Sequence, residues 1–403
     1  MVADLPLFTS VDIRDAGFKM AVVDTNLFPA GFNNLCAIGL DEASAIMKQA
    51  LLDRVTECGR VLILAEKHTR NIWYLENVYT LKEMIERAGF EVTVAAPLDI
   101  QSQDFCDNIS VLELKTALGH ILKVYPLDPV LKCYKDGQKD WFDLIIMNND
   151  LISGIPATLL EADVPIYPSP HAGWHARRKS NHFQYKNNLI KTWADKRGED
   201  PWLYSCLFRT ADNVSINEQK SREHLVALAE DLFVEIRQKY KEHGVTSAPF
   251  IFLKANSGSY GMGVTAIEDP KDILSLNRKL RNKLSKGKSA SVIDSFLLQE
   301  GVPSSQVIEG QTSEVCLYQI ANQFVGAFYR THANKNSRES LNSQGMDFRK
   351  ICSEGDMLDK DLCERQCGVG YAAEHLKIYQ ELASIAGIAA KEEILKLEKE
   401  AMA

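Results

Sequence analysis

The sequence predicts an α/β (α+β) chain, with an open parallel sheet in its first part and mixed or antiparallel strands later. Three observations carry this. Between Phe18 and Met147 short apolar runs alternate with amphipathic segments of helical period, the pattern of β-α-β units. Between Pro249 and Ile267 a glycine-bearing loop joins two β-prone runs. Between Glu314 and Arg330 two β-prone segments are separated only by Ala321-Asn322, as in an antiparallel pair. At 403 residues the chain is long enough for two or three cores, and the segments divide it at 1–165, 166–300 and 301–403.

In the first part, Phe18–Val23 reads as a strand ending in Asp24-Thr25-Asn26, and Asp41–Cys58 as a helix stopped by Gly59. Val61–Ala65 is a strand ending in Glu66 to Arg70. Asn77–Ala88 is an amphipathic helix with Leu81, Met84 and Ile85 on one face. Phe90–Ala96 and Phe142–Met147 are further strands, the latter ending in Asn148-Asn149-Asp150. In open parallel sheets ligands sit at the carboxyl ends of strands. The three polar clusters fall there, as a binding face or as ordinary turn and cap residues.

Pro165, Pro168 and Pro170 mark a boundary. The stretch after it holds Ser169, His171, His175, Arg177, Arg178, Lys179 and His182. It is an anion site for phosphate or carboxylate, or the solvated start of a basic helix. Its histidines lack metal-ligand spacing, which argues against zinc. Ser215–Gly244 is a long helix with Leu225, Leu228, Leu232 and Ile236 as its core stripe.

The run Phe250–Leu253 ends on Lys254, and glycines follow at Gly258, Gly261 and Gly263 before Val264–Ile267. Backbone amides in such a loop can approach an anion, and Lys254 adds a fixed charge. The residues alone also fit an ordinary hairpin with a glycine bulge. No Gly-Lys-Ser/Thr follows, and the next element is a strand, which excludes the P-loop and the dinucleotide fingerprint.

Lys271–Lys288 is a basic helical stretch with a solvated face. Val292–Leu298 leads into Gln299-Glu300-Gly301-Val302. That strand end either presents backbone groups and a carboxylate to a nucleobase and ribose or simply turns. The pair around Ala321-Asn322 brings Glu314 and Arg330 onto one sheet, and Glu339 and Asn342 follow. Their oxygens suit Mg²⁺. Ala373–Ala403 reads as a packing and surface helix.

Composition is that of an ordinary water-soluble protein, without an apolar run of the ~20 residues needed to span a bilayer. The N-terminus carries early acids and no basic leader pattern. A net charge of −8 argues against general nucleic-acid binding. The nine cysteines are scattered and odd in number, so reduced thiols in a cytoplasmic protein are expected rather than disulfides or zinc.

A strand ending in lysine, a glycine loop, a strand ending in Gln-Glu, and a sheet with Glu, Arg and a later Glu/Asn pair, in that order, resemble the ATP-grasp ligases. Within them the chain is most similar to the proteobacterial-type glutamate–cysteine ligases, through residues 23–36 (VDTNLFPAGFNNLC), 64–78 (LAEKHTRNIWYLENV), 169–183 (SPHAGWHARRKSNHF) and 252–264 (FLKANSGSYGMGV). The resemblance implies a Rossmann-like N-terminal sheet domain, a lid domain and a C-terminal nucleotide and metal domain.

It also implies roles. Lys254 and an upstream lysine, Lys179 or alternatively Lys186, would hold nucleotide phosphates. The loop Ser257, Gly258, Ser259, Tyr260, Gly261 would close over the γ-phosphate. Gln299, Glu300 and Val302 would border adenine. Glu314, Glu339 and Asn342 would hold two Mg²⁺ ions, although the Glu-x-x-Asn spacing departs from the usual pattern at Glu339. Arg330 would neutralise the transferred phosphoryl group, with Lys254 as the second catalytic cation. Asp24, Asn26, Arg70, Asn149, Ser169, His171 and Arg177 are the candidates for the amino-acid substrates. The implied reaction joins glutamate and cysteine at the expense of ATP. Another peptide-forming ligase of this fold and a non-catalytic nucleotide binder are the alternatives. Partners would be small molecules alone, without nucleic acid or membrane, and self-association is left open.

Overall fold

The computed structural model describes residues 4–98, 109–135, 142–257, 263–285, 293–352 and 375–402. Its strands form three sheets. The parallel sheet comes from the anticipated segments, β3 (Arg60–Ala65), β4 (Glu91–Ala96) and β7 (Leu144–Asn148), together with β5 (Leu112–Lys115), β6 (Ile121–Pro126) and β8 (Ile166–Tyr167). Its order is β5-β6-β4-β3-β7-β8, with only the edge strand β5 antiparallel. Along β3, Val61, Ile63 and Ala65 pack with α1 (Ala37–Leu52) and α2 (Ile72–Arg87), while Leu62 and Leu64 pack with α3 (Leu127–Lys135) and α4 (Ala157–Leu160). A strand apolar on both faces needs cover on both sides, and the helices supply it. The first helix starts after Cys36, before the anticipated Asp41.

The strand expected at Phe18–Val23 does not belong to this sheet. It is β2 (Met20–Asn26), the second arm of a hairpin whose first arm, β1 (Phe8–Asp15), was not anticipated. β1 pairs antiparallel with β14 (Gln311–Ile320), so a second sheet draws on both ends of the chain. Its order is β16-β15-β14-β1-β2, with β15 (Gln323–His332), β16 (Met346–Ile351) and the short β13 (Val307–Ile308) on β14. The turn between β14 and β15 falls on Ala321 and Asn322, with φ of 48° and 65°. Positive φ at both central residues gives the twist that two-residue hairpins favour. One face of this sheet carries Val11, Ile13, Val315, Leu317, Ala327 and Tyr329. It packs on α5 (Lys179–Asp195) and the last helix, α9 (Leu376–Met402), through Ile190, Tyr379, Leu382 and Ala386.

The third sheet is antiparallel, in the order β11-β10-β12-β9. It contains β9 (Phe208–Ala211), β10 (Ile251–Ala255), β11 (Val264–Ile267) and β12 (Phe296–Glu300). One face packs on α6 (Gln219–Glu242) through Leu225, Leu232 and Ile236. The basic stretch contains α7 (Asp272–Ser275) and α8 (Arg278–Ser285), whose Leu284 is buried.

Cys58, Cys206 and Cys316 are free and buried. Cys36, Cys133 and Cys352 are disulfide-bonded, which corrects the expectation of reduced thiols throughout. Spacing along the chain did not signal these bonds because pairing depends on which sulfurs the fold brings together. No described helix is long and apolar enough to cross a membrane.

Candidate active site

A cavity of about 250 Å³ lies where the three sheets meet. Strand alternation sets its walls. On β1, Val11 and Ile13 face α9, so Ser10, Asp12 and Arg14 face the cavity. Glu314 and Tyr318 of β14 and Phe328 and Arg330 of β15 do the same. The antiparallel sheet adds Phe252, Lys254, Val264 and Gln299, and the start of α5 adds Lys179. Gly31 carries the chain over this floor, and a Cβ there would lie 2.5 Å from Tyr318 Oη. The loop is tied to the parallel sheet by Asn148, whose Nδ2 donates to the Pro29 carbonyl (2.7 Å), and to α2 by Asn77, whose Oδ1 accepts from Phe32 N–H (2.9 Å).

Two charged groups line the cavity, adjoining where Asp12 and Asp24 pair across β1 and β2. In the first, Glu314 lies opposite Arg330 in strand register. Arg330 Nη1 donates to Glu314 Oε1 (2.7 Å) and Asp12 Oδ2 (2.8 Å), while Arg14 Nε donates to Glu314 Oε2 (2.7 Å). Burial works to raise the Glu314 carboxyl, but Arg14 and Arg330 outweigh it and hold the group below its ordinary range. Asp12 moves the other way, because burial exceeds the help from Arg330 and the Glu314 carboxylate lies close by.

The second group is cationic. Lys179 Nζ pairs with Asp24 Oδ1 at 2.5 Å, and Lys254 Nζ donates to the Val23 carbonyl at 3.2 Å. Burial opposes ionisation of Asp24, yet Lys179 and Lys254 hold its carboxyl well below the usual range. Burial pushes Lys254 down to about 8, against the pull of Asp24. Lys254 is therefore about half charged near pH 8, mostly charged a unit below and mostly neutral a unit above. Affinity for a polyanion is expected to fall as pH rises from 7 to 9, and Lys254→Arg, which stays charged, should flatten that fall. Titration calorimetry with MgATP across this range checks it, and an unchanged profile in the arginine variant would remove Lys254 from the cause.

Of the anticipated residues, Asp24, Asn26, Lys179, Lys254, Gln299, Glu314, Arg330 and Asn342 line this one cavity. Lys186 does not. Its fully buried ammonium donates to the Val22 carbonyl at 2.7 Å, which makes Lys179 the cavity-facing lysine. Gly258, Ser259, Tyr260 and Gly261 lie outside the described residues. Ser257, half-buried past the end of β10, does not line the cavity.

Several residues sit elsewhere. Glu300 is internal. It accepts from Trp202 Nε1 (2.9 Å) and Leu207 N–H (2.9 Å) and pairs with Lys19 (2.7 Å), because a carboxylate with 1 % exposure must be fully partnered. Val302 is a core residue. Glu339 turns to Lys335 (2.7 Å) and Asn336 N–H (3.1 Å), away from Glu314, and only its backbone carbonyl reaches Arg14 (2.6 Å). Arg70 is exposed, Asn149 is spent on Ala65 and Leu151 backbone, Ser169 lies at the start of a short 3-10 turn and His171 within it. Arg177 is buried against Glu393, which satisfies its guanidinium within the protein.

Asp12 and Arg14 were missed by sequence reasoning. The alternation Val11/Ile13 against Asp12/Arg14 was the available signal, masked by the polar character of FTSVDIRD. Asp12, Glu314 and Asn342 bring oxygen donors of the type Mg²⁺ takes to the same cavity, where an ion would share the two carboxylates with the Arg14 and Arg330 guanidiniums. Among the described residues another carboxylate and histidine group, Asp200, Glu242 and His243, lies within metal-ligating distance. The Lys239 ammonium already occupies it, 2.9 Å from Asp200 and 3.0 Å from Glu242.

A mixed α/β chain with cations and carboxylates converging on one cavity has the makings of an enzyme site for anionic substrates. Comparison with known families makes the class specific: the GshA family, described as glutamate-cysteine ligase, matches residues 2–394, and the chain belongs to that family. Among solved structures, a protein of Methylobacillus flagellatus provisionally named a gamma-glutamylcysteine synthetase is 32% identical. Its match covers 97% of this chain and 90% of that one at a TM-score of 0.82. Weaker matches are a D-cycloserine synthetase (11% identity, 83% of this chain and 82% of that one, TM-score 0.42) and a D-alanyl-alanine synthetase A of Vibrio cholerae (13%, 83% and 81%, 0.33). The search of curated proteins returned no match.

Proposed function

We propose that this chain is an ATP-dependent ligase of ATP-grasp type that forms γ-glutamylcysteine from L-glutamate and L-cysteine. One observation carries the reading beyond family membership. Lys179 and Lys254 on one wall and Glu314, Asn342 and Arg330 on another border the same cavity, as joining two anions at the expense of a third requires.

A carboxylate is a poor acyl donor because oxide is a poor leaving group. In the proposed chemistry the glutamate γ-carboxylate attacks the γ-phosphorus of ATP and ADP leaves. The cysteine amine then attacks the acyl carbon, the carbon–oxygen bond to phosphate breaks, and the amine proton passes to solvent. The protein positions the partners and screens charge. Lys179 and Lys254 hold the nucleotide phosphates, and Arg330 meets the charge on the transferred group. Asp12, Glu314 and Asn342 would hold Mg²⁺, and when bound the metal neutralises phosphate charge. The Gln299 Oε1 atom, buried without a hydrogen-bond partner, is an acceptor suited to the adenine amino group. Asp24 and Asn26 remain the candidate substrate residues on the cavity wall.

ADP release with Mg-ATP tests the reading. Turnover is expected only with glutamate and cysteine together. Turnover only with γ-glutamylcysteine and glycine would assign the chain to a different peptide-forming step, and nucleotide binding without turnover on either pair would make it a non-catalytic binder.

A further inference from the structure

We infer that Glu393, on the last helix, is a positioning residue for the cationic wall of the cavity: it clamps Arg177 and thereby sets Trp174 and Lys179. The proposal rests on the reading of Lys179 as a phosphate-binding lysine. Glu393 lies far from the cavity in sequence and does not line it. Its carboxylate takes a bidentate pair from Arg177, Nε to Oε1 at 3.0 Å and Nη2 to Oε2 at 2.8 Å. His182 Nδ1, one turn into α5, approaches Oε2 at 3.3 Å.

The clamp reaches the site along three routes. Arg177 Nη1 donates to the carbonyl of Thr25, the neighbour of Asp24, at 3.4 Å. The Arg177 guanidinium lies 4.6 Å from the centroid of the Trp174 ring, and Lys179 Nζ lies 4.8 Å from the same centroid. Trp174 and Lys179 both border the cavity. His182 sets α5, which begins at Lys179, beside the same carboxylate by close approach, without a hydrogen bond. Both Glu393 and Arg177 are almost fully buried, with side-chain exposures of 2% and 1%. A bidentate fork between buried groups fixes angle as well as distance. Held this way, Arg177 fixes the ring beside which the Lys179 ammonium sits, and the Thr25 carbonyl fixes the strand that carries its partner Asp24. Burial alone would raise the Glu393 carboxyl, but Arg177 and His182 hold it at about 2, so the clamp is charged at any ordinary working pH.

The test is a comparison of Glu393→Gln, the double variant Arg177→Met/Glu393→Leu, Lys179→Ala, and Lys179→Ala/Glu393→Gln. Glu393→Gln keeps shape and loses the charge. The apolar double variant removes both charges and leaves none unpaired, which keeps a folded clamp-less protein in the test should Glu393→Gln unfold. Affinity for Mg-AMP-PNP is read by tryptophan fluorescence, with KM and kcat for ATP alongside. Expected are a rise of about tenfold in Kd and in KM for ATP with kcat changed less than about threefold, because Lys179 acts in ground-state binding. In the Lys179→Ala background Glu393→Gln should add less than about twofold, because both changes act through one ammonium. Folded variants with wild-type Kd, or a full tenfold effect persisting without Lys179, would overturn the positioning role. Lys179→Ala with wild-type affinity would overturn the phosphate reading of Lys179 as well as the inference built on it.

Discussion

Glu314→Gln is expected to lower kcat for ligation by about a thousandfold, equivalent to about 4 kcal/mol of transition-state stabilisation. The carboxamide keeps the side chain's shape, but it is a weaker acceptor for Arg14 and Arg330 and a weaker ligand for a hard cation. Stability should fall too. Losing one member of a buried ionic group typically costs about 3–5 kcal/mol, and here Asp12 would be left as the one carboxylate paired with Arg330, while Arg14 would keep only backbone carbonyls. Thermal melting separates the two effects. Ligation by the folded variant at the wild-type rate would show that Glu314 has no part in the reaction. Glu339→Gln is the internal control. Its side chain faces Lys335 rather than the cavity, so kcat should stay within about twofold of wild type.

The second large effect is at Lys254. Replacement by methionine should weaken MgATP binding by about a hundredfold, or about 2.7 kcal/mol. The stability change should run the other way. Folding lowers the lysine's pKa from 10.5 to about 8, so the folded state resists protonating it. At pH 7 the ammonium therefore costs stability, and that cost vanishes only above the unfolded value. Methionine has similar length and carries no charge, so melting should be unchanged or raised while binding collapses. A buried cation kept despite its cost to the fold is the mark of a functional group. A variant that binds nucleotide normally would show that Lys254 serves packing alone.

Much of this site could be read from local pattern. Lys254 ends an apolar run before a glycine loop, and a two-residue turn at Ala321-Asn322 puts Glu314 opposite Arg330 by register alone. Asp24 borders the cavity for a different reason from the one its sequence suggests: it lies on an antiparallel hairpin, not at the end of a parallel strand. Glu300 and Arg177 show the converse. Each looked like a ligand group by residue type and neighbourhood, but each is consumed by a buried partner distant in sequence, Lys19 and Trp202 in one case and Glu393 in the other.

What the sequence by itself determined are the features set within a few residues: the helices of 3.6 period, the apolar strands of the parallel sheet, the β14–β15 register, and Lys254 at a strand end. Hydrophobic periodicity and turn chemistry act over that range and leave a direct trace in residue order. The tertiary structure alone decided that β1 joins β14 across about 300 residues, that Asp12 and Arg14 complete the acid and cation group, and that Glu393 anchors the wall carrying Lys179. Those pairings follow from the need of each buried charge for an opposite partner. Nothing in the local sequence says which distant strand or helix will bring it.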